Sequence, residues 1–197
     1  AIRMTGGMAS VDGWRLMVGA GVMMARAVLA AGQAGLAGFE WGIGIPGTIG
    51  GSVRGNAGCF GGEMSQIVEQ VQLFEFPISN FQFPKKLQAQ NSNFTILKFN
   101  NAECQFNYRD SIFKKHPEWI ILSATLKLKR GDTASVQQEI QRISKERLAK
   151  QDIGTKSCGC IFKNTLWGRE DTNKTALLKK FPELEQFNNQ SHIPSSY

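Results

Sequence analysis

Arg109 lies in the hexapeptide Tyr108-Arg109-Asp110-Ser111-Ile112-Phe113. A guanidinium flanked by an aromatic ring and a hydroxyl can hold a carboxylate through two parallel hydrogen bonds. The plain alternative is an exposed arginine in a turn. A second cluster reads Lys156-Ser157-Cys158-Gly159-Cys160-Ile161-Phe162-Lys163-Asn164. Gly159 permits a tight turn that presents Cys160 to a ligand, with the donors Lys163 and Asn164 close by. A free thiol, with a pKa of about 8.5, is protonated at neutral pH and can donate a proton. A buried structural cysteine is the alternative there. The third feature is the glycine-rich run Gly44–Glu63, GIPGTIGGSVRGNAGCFGGE. Glycine lacks the Cβ that blocks close approach, so such a run suits backbone N–H groups packed against a phosphate-bearing ligand. It matches neither G-x-x-x-x-G-K-[ST] nor G-x-G-x-x-G, and a purely structural turn region is the competing reading.

The elements that must position these groups follow from periodicity. Asp12-Gly13 marks a turn before a short strand at Trp14–Val18. Met23–Ala31 is alanine-rich and predicts a helix ending near Gly32. The glycine-rich stretch follows as loop. Ile67–Phe76, Phe94–Phe99 and Trp119–Lys129 read as strands, the last alternating Leu126 and Leu128 against Lys127 and Lys129. The segment from Pro77 to Asn93 reads as a loop or ragged hairpin. Thr133–Lys150 predicts a helix with Asp132 or Thr133 at its N-cap and Val136, Ile140, Ile143 and Arg147 on one face. The change from strand-rich to helix-led pattern places a domain boundary near Arg130. Beyond it come a β-like piece at Cys160–Lys163, a polar loop at Gly168–Asn173 and a helix around Lys174–Phe181. The mixture is α+β.

The 197 residues suit one to two domains, and 42% hydrophobic content is ample for a packed core. A net charge of +7 points to anionic partners. No basic run is interleaved with aromatics at a nucleic-acid module's spacing, so a polyphosphate small molecule is favoured over nucleic acid. A plain solvated basic surface also accounts for the charge. The four cysteines form no disulfide framework, which favours reduced thiols and a cytoplasmic protein. His116 and His192 are remote in sequence from Cys158 and Cys160, so no four-ligand metal site is expected. The apolar stretch Val18–Ala37 carries Arg26, Gln33 and several glycines and reads as a buried helix rather than a membrane span.

In order along the chain, VGAGV (Val18–Val22), GLAGFEWGIGIPGTIGGSVRGNAGCFGGE (Gly35–Glu63), YRDSIF (Tyr108–Phe113), Arg147 and CGCIFKN (Cys158–Asn164) form a specific combination. The chain resembles the UDP-N-acetylenolpyruvoylglucosamine reductase family, and the resemblance runs through nearly its whole length. It implies an FAD-binding domain of the vanillyl-alcohol-oxidase type over residues 1–130. Residues 131–197 would hold a linking helix and part of a smaller α+β substrate-binding domain. It implies FAD and NADPH as cofactors, UDP-N-acetylglucosamine enolpyruvate as substrate and a place in peptidoglycan synthesis, with no obligate protein partner. The cofactor would be lined by Gly44, Ile45, Pro46, Gly47, Thr48, Gly50, Gly51, Asn56, Ala57, Gly58 and Gly61. Arg109 would stabilise enolate-like charge on the substrate, and Cys160 would stand where the family's proton donor, usually a serine, is found. Tyr108, Lys163 and Asn164 would face the substrate.

The sequence also departs from that family. Thr165 follows Asn164 where a proline is usual, and the short link after Leu128 leaves no room for the extra tyrosine-bearing loop of some members, which implies the shorter subtype. The family's glycine-rich G-x-G-S-N segment and its C-terminal glutamate are not in the sequence, so an internal piece of a longer enzyme is expected. The alternatives are a non-catalytic flavin or nucleotide-binding relative and an FAD oxidase of the same superfold. The oxidase reading would gain from a histidine in Gly44–Gly61, and that run has none.

Overall fold

The computed structural model describes residues 9–75, 95–150, 163–167, 172–190 and 192–193. A hairpin opens the described chain. β1 (Ala9–Asp12) pairs antiparallel with β2 (Arg15–Gly19) across Gly13, whose φ of +57° suits the tight reversal. Every residue of β1 is exposed, which explains why no hydrophobic alternation announces this strand. α1 (Met24–Gln33) buries Met24, Ala27, Val28, Ala31 and Gly32, the i, i+3, i+4, i+7 stripe of a helix laid on a core. β3 (Leu36–Ala37) follows.

The glycine-rich stretch is not loop throughout. It contains α2 (Ile49–Arg54), started by Thr48, whose hydroxyl accepts from the Gly51 N–H. Ile49 and Val53, one turn apart, are fully buried and hold this helix on the core. A tight hairpin of β4 (Gly58–Cys59) and β5 (Gly62–Glu63) comes next, then α3 (Met64–Ile67), which has a capping box between Glu63 and Gln66.

β6 (Val68–Glu75), β7 (Thr95–Asn100) and β8 (Trp119–Lys127) complete a five-stranded antiparallel sheet of order β1-β2-β8-β6-β7. β2 and β8 pair in register from Arg15↔Lys127 to Gly19↔Ser123. The sheet turns Leu16, Val18, Val71, Leu73, Ala124 and Leu126 into the core. β9 (Lys129–Arg130) pairs with β3. α4 (Thr133–Lys150) matches the predicted span, and Asp132 caps it: its carboxylate accepts from the Ser135 N–H at 2.9 Å while its carbonyl accepts from Val136. Val136, Ile140 and Ile143 are buried. A Cβ placed on Gly32 would lie 2.7 Å from Ile140 Cδ1, so α4 packs closely on α1.

α4 thus belongs to the same compact unit as the sheet, and the division between the two compact units of the chain falls between Lys150 and Lys163. The change of pattern near Arg130 lies inside the first unit, because the helix that begins there folds back onto α1. In the second unit, β10 (Thr165–Leu166) pairs with β11 (His192–Ile193), and α5 (Lys174–Lys180) leads into a 3₁₀ turn at Pro182–Phe187. The expected loop from Pro77 to Asn93 and most of the β-like piece at Cys160–Lys163 lie outside the described residues.

Candidate functional site

Arg109 has φ +52°, an uncommon backbone conformation for a residue with a Cβ. Its neighbours hold it there. Asn107 and Asp110 exchange both backbone hydrogen bonds around Tyr108-Arg109, each at 3.0 Å. The Ser111 hydroxyl, buried, donates to the Arg54 carbonyl at 2.7 Å, and the Arg54 guanidinium donates to the Phe113 carbonyl. The end of α2 and the hexapeptide therefore clamp each other at both ends.

The Arg109 side chain is docked rather than loose. Its guanidinium donates to the Asn56 carbonyl at 3.3 Å and the Gly58 carbonyl at 2.5 Å, and lies 5.4 Å from the Tyr108 ring centre. The expected alternative of a free surface arginine does not describe this geometry. Asn56 itself is buried with φ +42°. Its Oδ1 accepts from the Ser65 N–H at 2.9 Å and its Nδ2 donates to the Asn107 carbonyl at 3.0 Å. This side chain joins α2, α3 and the arginine segment, so its work is inside the protein fabric.

Beside this clamp lies a cleft of about 610 Å³. Its lining includes Gly21, Thr48, Gly50 and Gly51, Arg54, and Trp119, Ile120 and Ile121. Of the glycines expected to cradle a ligand, Gly44, Gly47, Gly51 and Gly61 are exposed. Gly50 serves packing: its N–H donates to the Ala20 carbonyl at 2.9 Å, and an added Cβ would lie 2.8 Å from Ala20 Cβ. The Ile49 N–H is likewise taken by Val22. Gly58 receives Arg109 through its carbonyl, while Ala57 is tied into the fold: its N–H donates to Ser52 and its carbonyl accepts from Met64. Ile45 and Pro46 lie in the turn before Thr48, Ile45 half-buried against the core and Pro46 exposed.

Trp119–Ile121 were not among the expected lining residues. The signal available was positional: β8 begins shortly after YRDSIF, so the strand start is carried to the same place. Arg147 is the other residue whose environment matters. It is 4% exposed, its Nε and one terminal nitrogen are buried, and neither has a hydrogen-bond partner among the described residues. It lies over the Phe60 ring at 5.0 Å. Cys104, in contrast, is core: its thiol donates to the Asn100 carbonyl at 3.2 Å, and burial pushes its pKa up to about 12.

Cys160 lies outside the described residues, as does Cys158. Lys163 is exposed and Asn164 half-buried, both in the second unit. Among the described residues no group of three metal-ligating side chains converges, and no helix is long and apolar enough to cross a membrane.

Residues 1–76 match a family described as an FAD binding domain. A UDP-N-acetylenolpyruvoylglucosamine reductase of Synechococcus sp. is 36% identical over 159 residues, 80% of this chain and 46% of that protein. Over that stretch the chain is similar to the UDP-N-acetylenolpyruvoylglucosamine reductases. The reductase of Solibacter usitatus is 34% identical over 157 residues, covering 80% of this chain and 45% of that protein. The crystal structure of the Thermus caldophilus reductase superposes with a TM-score of 0.57 at 29% identity, over 83% of this chain and 52% of that one. The α+β fold is thus that of these reductases. The chain spans about half the length of the curated relatives it matches.

Proposed function

We propose that this chain carries the flavin-binding core of a UDP-N-acetylenolpyruvoylglucosamine reductase, reducing the enolpyruvyl ether to UDP-N-acetylmuramate for peptidoglycan synthesis in the cytoplasm. The observation that carries the reading is Arg109, held at positive φ on the Asn56 and Gly58 carbonyls beside a glycine-walled cleft. The residues present suit FAD: exposed glycines that leave room for a diphosphate and the apolar lining at Trp119–Ile121. Gly44, Gly47, Gly51 and Gly61 would hold the cofactor with Thr48, while Gly50, Asn56, Ala57 and Gly58 keep that surface in shape.

FAD, once bound by these residues, would supply the hydride that the substrate's vinyl group takes up, with NADPH as the source of electrons. Negative charge then develops on the adjacent carbon and its carboxylate. Arg109 stabilises that charge with donors whose position is set before substrate arrives, the arrangement that contributes most to rate. Cys160 gives the proton that quenches the carbanion; a thiol is a stronger acid than the usual serine and preserves the role. Tyr108, Lys163 and Asn164 orient the substrate.

The test separates the two half-reactions. Arg109→Met is expected to slow reoxidation of reduced FAD by the enolpyruvyl substrate by about 10²-fold or more, with reduction by NADPH changed little. Cys160→Ala is expected to act likewise and Cys160→Ser to recover most turnover. Stopped-flow absorbance of the flavin reads both steps, and equal loss in both would remove Arg109 and Cys160 from the chemistry.

A further inference from the structure

Arg109 is anchored at its guanidinium by the Asn56 and Gly58 carbonyls and at its backbone by the turn from Asn107 to Asp110. One further contact belongs to neither set. The Lys114 ammonium donates to the Arg109 carbonyl at 2.6 Å. The peptide that joins Arg109 to Asp110 is therefore held on both sides: its N–H donates to the Asn107 carbonyl at 3.0 Å, and its C=O accepts from Lys114. That peptide sets ψ of Arg109, whose φ of +52° is already one that a residue with a Cβ rarely adopts. Rotating it would break both bonds at once. Lys114 itself stands on a firm base. It ends a 3₁₀ turn, Ile112–Lys114, in which Phe113 is fully buried and the Ile112 N–H donates to the Cys104 carbonyl at 3.0 Å. Among the described residues no carboxylate lies within ion-pair distance of the Lys114 ammonium, so the Arg109 carbonyl is what fixes it.

Resting on the reading of Arg109 given above, we propose that Lys114 is a positioning residue for Arg109, fixing the backbone from which the guanidinium is aimed at the developing carboxylate charge. It does not touch the substrate in this assignment. A donor contributes to a developing charge according to where it stands before that charge forms, and a displacement of about 1 Å at such a group can cost about 10²-fold in rate. Loss of one exposed hydrogen bond loosens the backbone by less than that, so a smaller effect is expected. The ammonium also brings a positive charge, and the two contributions are separable. A charge acting through space favours a nearby anion whether or not Arg109 is present. A positioning residue helps only through Arg109.

Lys114→Met and Lys114→Arg are compared in the FAD-loaded protein, alone and combined with Arg109→Met, with flavin reoxidation by the enolpyruvyl substrate followed by stopped-flow absorbance. Lys114→Met is expected to lower the limiting rate of reoxidation about fivefold, with the half-saturating substrate concentration and the reduction by NADPH changed little. Lys114→Arg is expected to recover most of the rate, because it can donate to the same carbonyl. In the Arg109→Met background, Lys114→Met is expected to cost nothing further. The same loss in that background would mean that the ammonium acts through its charge, and would overturn the proposal. So would a loss confined to half-saturation, which would place Lys114 on the substrate. An equal loss in both half-reactions would make Lys114 a structural residue, and no loss at all would leave Arg109 positioned without it; either result also overturns the proposal. If Arg109→Met itself leaves reoxidation unchanged, the reading of Arg109 fails and this proposal fails with it, whereas the other adverse outcomes overturn this proposal alone.

Discussion

A guanidinium that donates to two backbone carbonyls has lost much of its rotamer freedom before any ligand arrives, so less is lost when charge develops near it. At Arg109 that restraint is inherited from its neighbours. The Ser111 hydroxyl, with its donation to the Arg54 carbonyl, is the pivot. Ser111→Ala removes the bond and leaves a carbonyl without that donor, and is expected to destabilise the protein by about 1–3 kcal/mol. Urea unfolding monitored by tryptophan fluorescence checks this; a change within error would show that the clamp is held by Arg54 alone. Thiol chemistry gives a second residue-scale check. Cys104 is buried with its pKa pushed up to about 12, so alkylation mapped by mass spectrometry at pH 8 is expected to spare Cys104 while marking the half-buried Cys59. The hexapeptide announced a candidate arginine by its neighbours' chemistry. It could not announce where the guanidinium points, because the two carbonyls that receive it lie more than fifty positions away.

At the scale of elements, the most legible piece was α4, whose span was readable from its apolar period and whose cap from Asp132. Here the signal is local: a carboxylate accepting from the third N–H, then a stripe of Val136, Ile140 and Ile143. The least legible was α2, because glycine content argues against helix and only the burial of Ile49 and Val53 overrides it. β1 was hidden for the opposite reason, having no buried face. Two predictions belong at this scale. The Ser135 backbone N–H, then the Ser135 hydroxyl, hold the Asp132 carboxyl below the usual range. A depressed carboxylate stabilises above its unfolded pKa and loses that contribution as pH falls through the folded one. Asp132→Ala is therefore expected to lower the Tm at pH 7, and the difference is expected to shrink as pH drops below about 4. A pH-independent difference in scanning calorimetry would point to packing instead. Gly50→Ala drives a Cβ against Ala20, side chain and backbone alike, and overpacking of this kind costs about 1–3 kcal/mol. Because α2 carries both a cleft wall and Arg54, the same variant is expected to weaken FAD binding; intact binding at lowered stability would separate the wall from the site.

The whole molecule sets the terms on which a ligand approaches. With 23 Lys and Arg against 16 Asp and Glu, the chain is a net cation, while FAD and a UDP sugar are both diphosphates. Composition made that attraction readable at once, since charge sums without reference to fold. What composition could not give is which cations are available near the site, and here geometry divides them. Arg15 is bonded to Glu69 and Arg142 to Glu139 and Glu146, all on exposed surface. Those pairs are screened and contribute little. Arg54 and Arg109 are engaged by backbone carbonyls, which occupy their donors but leave their charge uncancelled. The local field at the cleft is therefore more positive than a count of ion pairs implies, and it acts mostly on encounter, over a Debye length of about 10 Å at 0.1 M salt. Raising ionic strength from about 0.05 M to about 0.5 M is expected to slow FAD association several-fold and leave dissociation nearly unchanged. Stopped-flow quenching of flavin fluorescence on mixing with the FAD-free protein reads both rates. An association rate indifferent to salt would mean that the positive charge of the chain lies away from the cleft, and that ligand entry is governed by the shape of the glycine wall alone.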